Sequence, residues 1–227
     1  MRRFFVQDLH GPSLRLDPAT SHHLLRVVRI GRDEEVTLFD GQGLQRRARF
    51  DHMDEEIAVL KPLAPPSEAR APTSLHVWLG LPKNPAADMA VRMATEGGAT
   101  HICPFFAERS TVRSDRQERH RRIAASAAGQ CGRADIPTIL PVQSLSDLLS
   151  SRAPDVQLFI ATPAGTRAAR PQSSGGRAVI IGPEGGLTPR EFDACVAAGA
   201  SPLNLGAWIL RTDTAVAVAV TTLAEGT

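Results

Sequence analysis

Short hydrophobic segments separated by polar turns occupy the first 60 residues of the chain. Their spacing predicts strands at residues 3–7, 14–16, 35–39, 46–50 and 56–60. A helical pattern over residues 21–28 interrupts the strands, and the Asp-Gly-Gln-Gly sequence at 40–43 predicts a turn. Several short strands at this spacing are typical of a small β-barrel.

Residues 61–73 contain four prolines and no periodic pattern, which predicts a linker. Beyond them, apolar runs alternate with helical stretches, a pattern typical of an α/β domain with a largely parallel sheet. These runs lie at residues 75–79, 101–105, 157–161, 178–181 and 203–205. We therefore expect two domains, residues 1–70 and residues 71–227.

The run at 178–181 leads through a glycine-rich loop into a well-marked helix start. Thr188 is a natural N-cap, Pro189 suits the first helical position, and Glu191 completes a capping box. An apolar stripe follows before Gly199 ends the helix, at Phe192, Cys195 and Val196. The unit predicted is a strand, a tight loop and a helix.

The loop at 182–186 has three glycines and a proline, so its backbone can approach a ligand closely. It has neither the Gly-Lys-Ser/Thr sequence nor the Gly-x-Gly-x-x-Gly spacing of loops that bind nucleotide phosphates. The carboxylate of Glu184 would also repel a phosphate. A ligand with hydroxyls or a positive centre fits better, such as a nucleoside that carries a sulfonium. The alternative interpretation is a structural turn in an α/β sheet.

The C-terminal run alternates valine with alanine over residues 216–220, and a period of two taken alone predicts a strand. Thr212 as an N-cap and Asp213 in the first turn favour a helix instead. The apolar character predicts burial in either case. A charged cluster, Arg211 to Asp213, directly before a buried element indicates a site.

Composition narrows the class of protein. The chain has 227 residues, 42% of them hydrophobic, and a net charge of +2. No apolar run approaches the length of about 20 residues that a membrane helix needs, and no signal segment is evident, so we expect a cytoplasmic protein. The three cysteines lie far apart, and the adjacent His22 and His23 point about 100° apart on a helix, so we expect no metal site.

Basic residues concentrate in the middle of the chain, where residues 71–172 carry 12 basic and 8 acidic side chains. A capping pattern at Ser114 predicts a helix to about residue 129, with ion pairs Asp115–Arg119 and Glu118–Arg122. The excess of basic side chains predicts either a solvated helix face or an anionic polymer as partner. Aromatic residues are only 4% of the chain, so base stacking finds no support. The candidate RNA-binding residues are Arg3, His22, His23, Arg26, Arg29, Lys83, Arg109, Arg116, Arg119, Arg122 and Arg133.

Taken in order, these segments resemble a known family. Ile181–Gly186, the Leu205-Gly206 pair and residues 209–215 are similar to the enzymes that methylate N3 of a uridine in 16S ribosomal RNA, S-adenosylmethionine-dependent members of the SPOUT superfamily. Further similar segments are 22–29, 38–41, 81–83, 94–96, 108–110 and 130–133. The resemblance covers nearly the whole chain.

The resemblance implies a PUA-like N-terminal barrel and a C-terminal domain with a trefoil knot. It also implies a homodimer that binds the small-subunit RNA, and S-adenosylmethionine held among three loops. The cofactor-binding residues it implies are Ala161, Thr162, Pro163, Ile181, Gly182, Pro183, Glu184, Gly185, Gly186, Leu205, Gly206, Ile209, Leu210, Thr214 and Ala215.

The reaction itself assigns further roles. Uridine N3 carries a proton on its pairing edge, so the base must be unpaired to react. We expect Arg211 to stabilise the negative charge that develops on the carbonyls, and Glu184 or Asp213 to accept the proton. Two alternatives remain: a SPOUT enzyme that methylates a ribose 2′-hydroxyl, and a non-catalytic RNA-binding protein.

Overall fold

The computed structural model of the chain describes residues 2–27, 29–31, 34–70, 73–110, 116–166 and 175–224. The chain divides into two compact units. The first comprises Met1–Ala71 with Ala125–Ile136, and the second comprises Pro72–Ala124 with Pro137–Thr227. In the ranges described, no helix is long and apolar enough to cross a membrane.

The first unit is built on a sheet of six short strands. Its elements are β1 (Arg2–Phe5), β2 (Leu14–Arg15), α1 (Pro18–His22), β3 (Glu35–Phe39), β4 (Leu44–Asp54), β5 (Ile57–Pro62) and β6 (Ser67–Glu68). The order is β1-β3-β4-β5-β2, with β6 paired to β4. Since β1 and β2 stand at opposite ends of this order, the strands described here form no closed barrel. Leu24, Val36, Leu38 and Leu60 are fully buried in the core of the unit.

The helix expected over residues 21–28 starts earlier than its apolar pattern indicates. The Asp17 side chain accepts a hydrogen bond from the Thr20 N–H (3.0 Å), and Pro18 occupies the first turn. This cap starts α1 at Pro18, and a π-helical turn, His23–Val27, continues it. Residue 28 lies outside the described residues.

The linker expected at residues 61–73 is partly strand. β5 runs on to Pro62, which lies opposite Ala48, and β6 pairs with the start of β4. The 11-residue β4 is long enough to offer partners to both segments. The linker prediction, which rested on local proline content, was therefore wrong where these residues pair with β4.

The second unit is built on a seven-stranded sheet in which every pairing among the described strands is parallel. Its elements are β7 (Leu75–Gly80), α2 (Ala86–Glu96), β8 (His101–Phe106), α3 (Gln117–Cys131, which crosses into the first unit), β9 (Thr138–Ile139), β10 (Gln143–Ser144), α4 (Leu145–Ser151), β11 (Gln157–Thr166), β12 (Arg177–Ile181), α5 (Pro189–Ala197), β13 (Ser201–Leu203) and α6 (Thr212–Ala224).

The strand order of this sheet is β10-β8-β7-β12-β11-β13, with β9 paired to β8. The predicted α/β class with a parallel sheet is confirmed. Two boundaries differ from the prediction: β11 extends five residues beyond 161, and β13 ends at 203, where a strand was expected to begin. Both changes follow from the pairing of β11 with β13, which is interrupted between Ala161 and Thr166.

Two ion pairs of α3 were not predicted. Arg119 makes a two-oxygen contact with Asp88 on α2, and this guanidinium holds the pKa of the Asp88 carboxyl below its usual value. Glu118 pairs with Arg121, not Arg122. Ser114 and Asp115 lie outside the described residues. The predicted Glu118–Arg122 pair thus gave way to an i,i+3 neighbour, and the predicted Asp115–Arg119 pair stays a prediction.

The C-terminal segment is the helix α6, as its capping residues predicted and its alternating valines did not. Val216, Ala219, Val220 and Leu223 are fully buried along it. Arg177, buried in β12, donates to the carbonyl of Leu223 in the last turn. A core strand therefore supplies the cation that satisfies the carboxyl end of this helix.

Two histidines face each other at the amino ends of β7 and β8. His76 and His101 are in register, and their rings lie 4.2 Å apart. Burial and the neighbouring His101 lower the pKa of His76 to about 4. Burial also lowers the pKa of His101. The pair is therefore accommodated as neutral rings.

Acidification is expected to destabilise the fold through His76. The unfolded chain binds this proton near pH 6.5 and the folded chain only near pH 4, so the stability present above pH 6.5 is lost as the pH falls between these values. Between pH 7 and pH 5, the free energy of unfolding of His76→Gln should fall by about 1 kcal/mol less than that of the unsubstituted protein, after allowance for solvent screening. Urea unfolding at both pH values measures the difference, and equal losses would contradict the assignment.

Candidate active site

Three loops meet beyond the carboxyl ends of β11, β12 and β13. They enclose a cavity of about 480 Å³. Ligands of open α/β sheets bind at this edge, and a cavity of this size takes a ligand as large as a nucleoside. The lining residues are Ile160, Ala161, Thr162, Pro163, Ile181, Gly182, Pro183, Glu184, Gly186, Leu187, Phe192, Leu205, Gly206, Trp208, Ile209, Leu210, Arg211, Thr212 and Ala215.

The glycine loop between β12 and α5 forms one wall of the cavity. Its backbone turns at Gly186, which has a φ of 67° and donates its N–H to the Pro183 carbonyl (2.8 Å). A Cβ on Gly80, the last residue of β7, would lie 2.6 Å from the ring of Pro183. The end of β7 can therefore approach this loop only because it has no side chain.

The helix after this loop starts as predicted, with Thr188 as N-cap, Pro189 in the first turn and Glu191 closing the capping box. The Glu191 carboxylate does more than cap. One oxygen accepts the Glu108 N–H at 2.8 Å, and the other accepts the N–H and hydroxyl of Thr188 at 2.8 and 3.1 Å. Glu191 is only 9% exposed, whereas Val196, expected in the buried stripe, is 42% exposed. The stripe prediction was wrong at Val196, since the helix faces solvent there.

Two more hydrogen bonds hold the glycine loop against the segments that follow β7 and β8. The Lys83 N–H donates to the Glu184 carboxylate (3.1 Å), and the Arg109 guanidinium donates to the Gly185 carbonyl (3.1 Å). With the Glu191 contact, these bonds join three loops at one edge of the sheet. The loop is therefore fixed before any ligand enters.

The third loop, residues 204–211, is anchored at both ends. Asn204 donates its side-chain N–H to the Pro163 carbonyl (2.8 Å) and accepts the Gly206 N–H (2.8 Å). At the other end, the Thr212 hydroxyl donates to the Gly182 carbonyl (3.2 Å). Thr212 was expected to cap α6 with this hydroxyl, which instead ties the start of the helix to the glycine loop.

Three charged residues were predicted to take part in the chemistry. Arg211 and Glu184 are exposed and line the cavity. Asp213 does not line it, and its carboxylate accepts the Thr214 N–H (2.8 Å) within the first turn of α6. The cavity thus presents one guanidinium and one carboxylate, in walls that are otherwise mainly apolar side chains and backbone.

All but two of the predicted cofactor-binding residues line this cavity; Gly185 and Thr214 do not. Sequence reasoning did not single out Ile160, Leu187, Phe192, Trp208 and Thr212 as lining residues. Leu187 and Phe192 follow the glycine loop so closely that their spacing offered a signal. Nothing in the local pattern of Trp208 distinguished it from a core residue.

The predicted RNA-binding residues lie in both units. In the first unit, Arg3 and Arg133 are partly buried: Arg3 donates to Gln45 and lies over the ring of Phe39, and Arg133 pairs with Asp135. The exposed residues of that unit are His22, His23, Arg26 and Arg29. Those of the second unit are Lys83, Arg109, Arg116, Arg119 and Arg122. Among described residues, no group of three or more His, Cys, Asp or Glu could hold a metal ion.

A family model described as an RNA methyltransferase domain matches residues 69–224. A curated relative from Mycobacterium bovis, Ribosomal RNA small subunit methyltransferase E, is 30% identical and is matched over 96% of this chain and 88% of its own. This chain belongs to the ribosomal RNA small subunit methyltransferase E family. The resemblance expected from the sequence is confirmed.

Other members of the methyltransferase E family are similar over equally long stretches. The Bacillus subtilis protein is 26% identical over 95% of this chain and 93% of its own. The crystal structure of the Neisseria gonorrhoeae protein bound to S-adenosyl methionine superposes with a TM-score of 0.89 at 28% identity, covering 97% of this chain and 95% of that one.

Glu191→Gln is expected to loosen this edge of the sheet, because an amide N–H would face one of the three donors that the carboxylate now accepts. A hydrogen bond to a charged group contributes about 2 kcal/mol, so the thermal midpoint should fall by several degrees. Asp193→Asn, on the exposed side of the same helix, is the matched control. Equal midpoints for the two variants in calorimetry would remove Glu191 from this role.

Proposed function

We propose that this chain transfers a methyl group from S-adenosylmethionine to N3 of one uridine in 16S ribosomal RNA of the small subunit. The observation that carries the proposal is the cavity at the sheet edge, lined by the glycine loop, residues 161–163, residues 205, 206 and 208–210, and Arg211. Relatives named Ribosomal RNA small subunit methyltransferase E, and a similar structure bound to S-adenosyl methionine, support it.

The residues present fit this cofactor. Leu187, Phe192, Leu205 and Ala215 offer apolar surface for an adenine, and the loop backbones offer N–H and carbonyl groups for its polar atoms. Glu184 places a carboxylate in a wall where a positively charged sulfonium is to be held. When bound, the cofactor supplies an electrophilic methyl group. The residues of the chain hold the cofactor and position the uracil base.

Arg211 is assigned to the uracil carbonyls. As N3 loses its proton and gains a methyl group, negative charge develops on the flanking oxygens, and a guanidinium stabilises that charge. Of the two candidate proton acceptors, Glu184 lines the cavity and Asp213 does not. We therefore assign the proton to Glu184 or to a water it holds.

The exposed basic residues of both units are assigned to RNA, because cationic side chains contact phosphates and a guanidinium does so through two oxygens. We further propose that residues 1–70 form a PUA-like RNA-binding domain, and that residues 71–227 are tied in a trefoil knot. The protein would act as a homodimer in the cytoplasm. The hydrogen bond from Thr212 to Gly182 holds the start of α6 against the glycine loop.

Ribosomal RNA from a strain that lacks this gene should have lost one N3-methyluridine, as measured by mass spectrometry of RNA digests. The unsubstituted gene should restore the mark. The gene with Arg211→Ala should restore less than about one hundredth of the rate of N3 methylation. The gene with Arg190→Ala, on the exposed start of α5, should restore that rate fully. Loss of a ribose methyl group would instead support a 2′-hydroxyl target, and loss of no mark would support a non-catalytic RNA-binding protein.

Gly186→Val is expected to weaken S-adenosylmethionine binding by at least tenfold in calorimetry, because the new side chain enters the cavity wall at a φ of 67°. Gly199→Val is the matched control. Gly199 also has a positive φ, 89°, and open space around it, but it lies outside the cavity lining. If both variants bind the cofactor alike, the glycine loop is merely a turn.

A further inference from the structure

The two tryptophans of the chain lie in opposite environments. Trp78 is 3% exposed in the core of the second unit, whereas Trp208 is 81% exposed and lines the cavity of the candidate active site. Exposure of an indole forgoes the hydrophobic stabilisation that its burial would provide. A large aromatic surface left open at a cavity therefore calls for a ligand.

The backbone at Trp208 is well defined, because its loop is held on both sides. Asn204, four residues before Trp208, donates to the carbonyl of Pro163. Thr212, four residues after Trp208, donates to the carbonyl of Gly182. The loop that carries the indole is thus braced. A braced loop loses little conformational freedom when a flat ring binds to it.

We propose that Trp208 is the stacking surface for the target uracil. The inference rests on the proposed function, which requires an unpaired uridine to reach the methyl donor. A base taken out of its stack loses a few kcal/mol, and an indole face returns part of this. Arg211 lines the same cavity three residues later, so the same loop offers one surface for the ring and one cation for its carbonyls.

The distribution of aromatic residues supports the stacking of one base, and not of a longer stretch of single-stranded RNA. Among the large hydrophobic side chains exposed in the described part of the chain, the other aromatic one is Phe5, at 40%, and its ring packs edge-on against Phe39. A single open stacking surface at the cavity suits an enzyme that modifies one nucleotide. The low aromatic content had argued against base stacking, yet it is the placement of one indole that matters.

Steady-state methylation of small subunits from the deletion strain tests the role of the indole. Trp208→Ala should lower kcat/KM by about 10- to 100-fold, as expected for a lost stacking contact, with cofactor affinity by calorimetry within about twofold of the unsubstituted protein. Trp208→Phe should recover most of the loss, because a phenyl ring still stacks. Val196→Ala, which removes an exposed apolar side chain of α5 outside the cavity lining, should change neither value.

Two results would overturn the inference. One is a Trp208→Ala enzyme with unchanged kcat/KM while the unsubstituted protein methylates its substrate. The other is an indole covered by a second copy of the chain. In that case acrylamide would not quench the Trp208 emission of the free protein, taken as the difference from Trp208→Phe, and Trp208→Ala would alter the mass in light scattering. If the unsubstituted protein itself fails to methylate uridine N3, it is the proposed function that fails.

Discussion

The buried carboxylate of Glu191 accepts three hydrogen bonds at the edge of the parallel sheet, and the arrangement of the site depends on it. It caps α5, and it holds the segment after β8 beside the glycine loop. A carboxylate so nearly buried is stable only when its oxygens are satisfied. The same contact that starts a helix therefore also positions Arg109, whose guanidinium bonds the loop itself.

Much of this arrangement could be predicted where one short segment decides the structure. The capping box at Thr188, the helix at the C-terminus and the parallel sheet each follow from local chemistry or from hydrophobic runs. The lining of the cavity was also largely foreseen, because it comes from contiguous segments that match a family pattern. The resemblance to that family, proposed from the sequence, rested on the order of these segments along the chain.

The remaining features depend on partners that lie far apart in sequence. β11 is extended by its pairing with β13, and the proline-rich stretch gains strand structure from β4. Arg119 pairs with Asp88 on another helix, a partner that its local sequence does not indicate. Residues 125–136 belong to the first unit, although no change in composition or hydrophobic pattern at these residues indicates it. Such choices are made by three-dimensional proximity, which a linear pattern does not encode.

The guanidinium of Arg177 has a consequence for the far end of the chain. It belongs to a central strand and is 4% exposed, yet its partner is the carbonyl of Leu223, in the final turn of α6. Detaching that turn would leave a cation inside the protein without its acceptor, a severe penalty. The last helix is therefore locked to the sheet by its end as well as by its apolar face. Shortening the chain there would be felt at Thr212, eleven residues upstream, where the same helix meets the glycine loop.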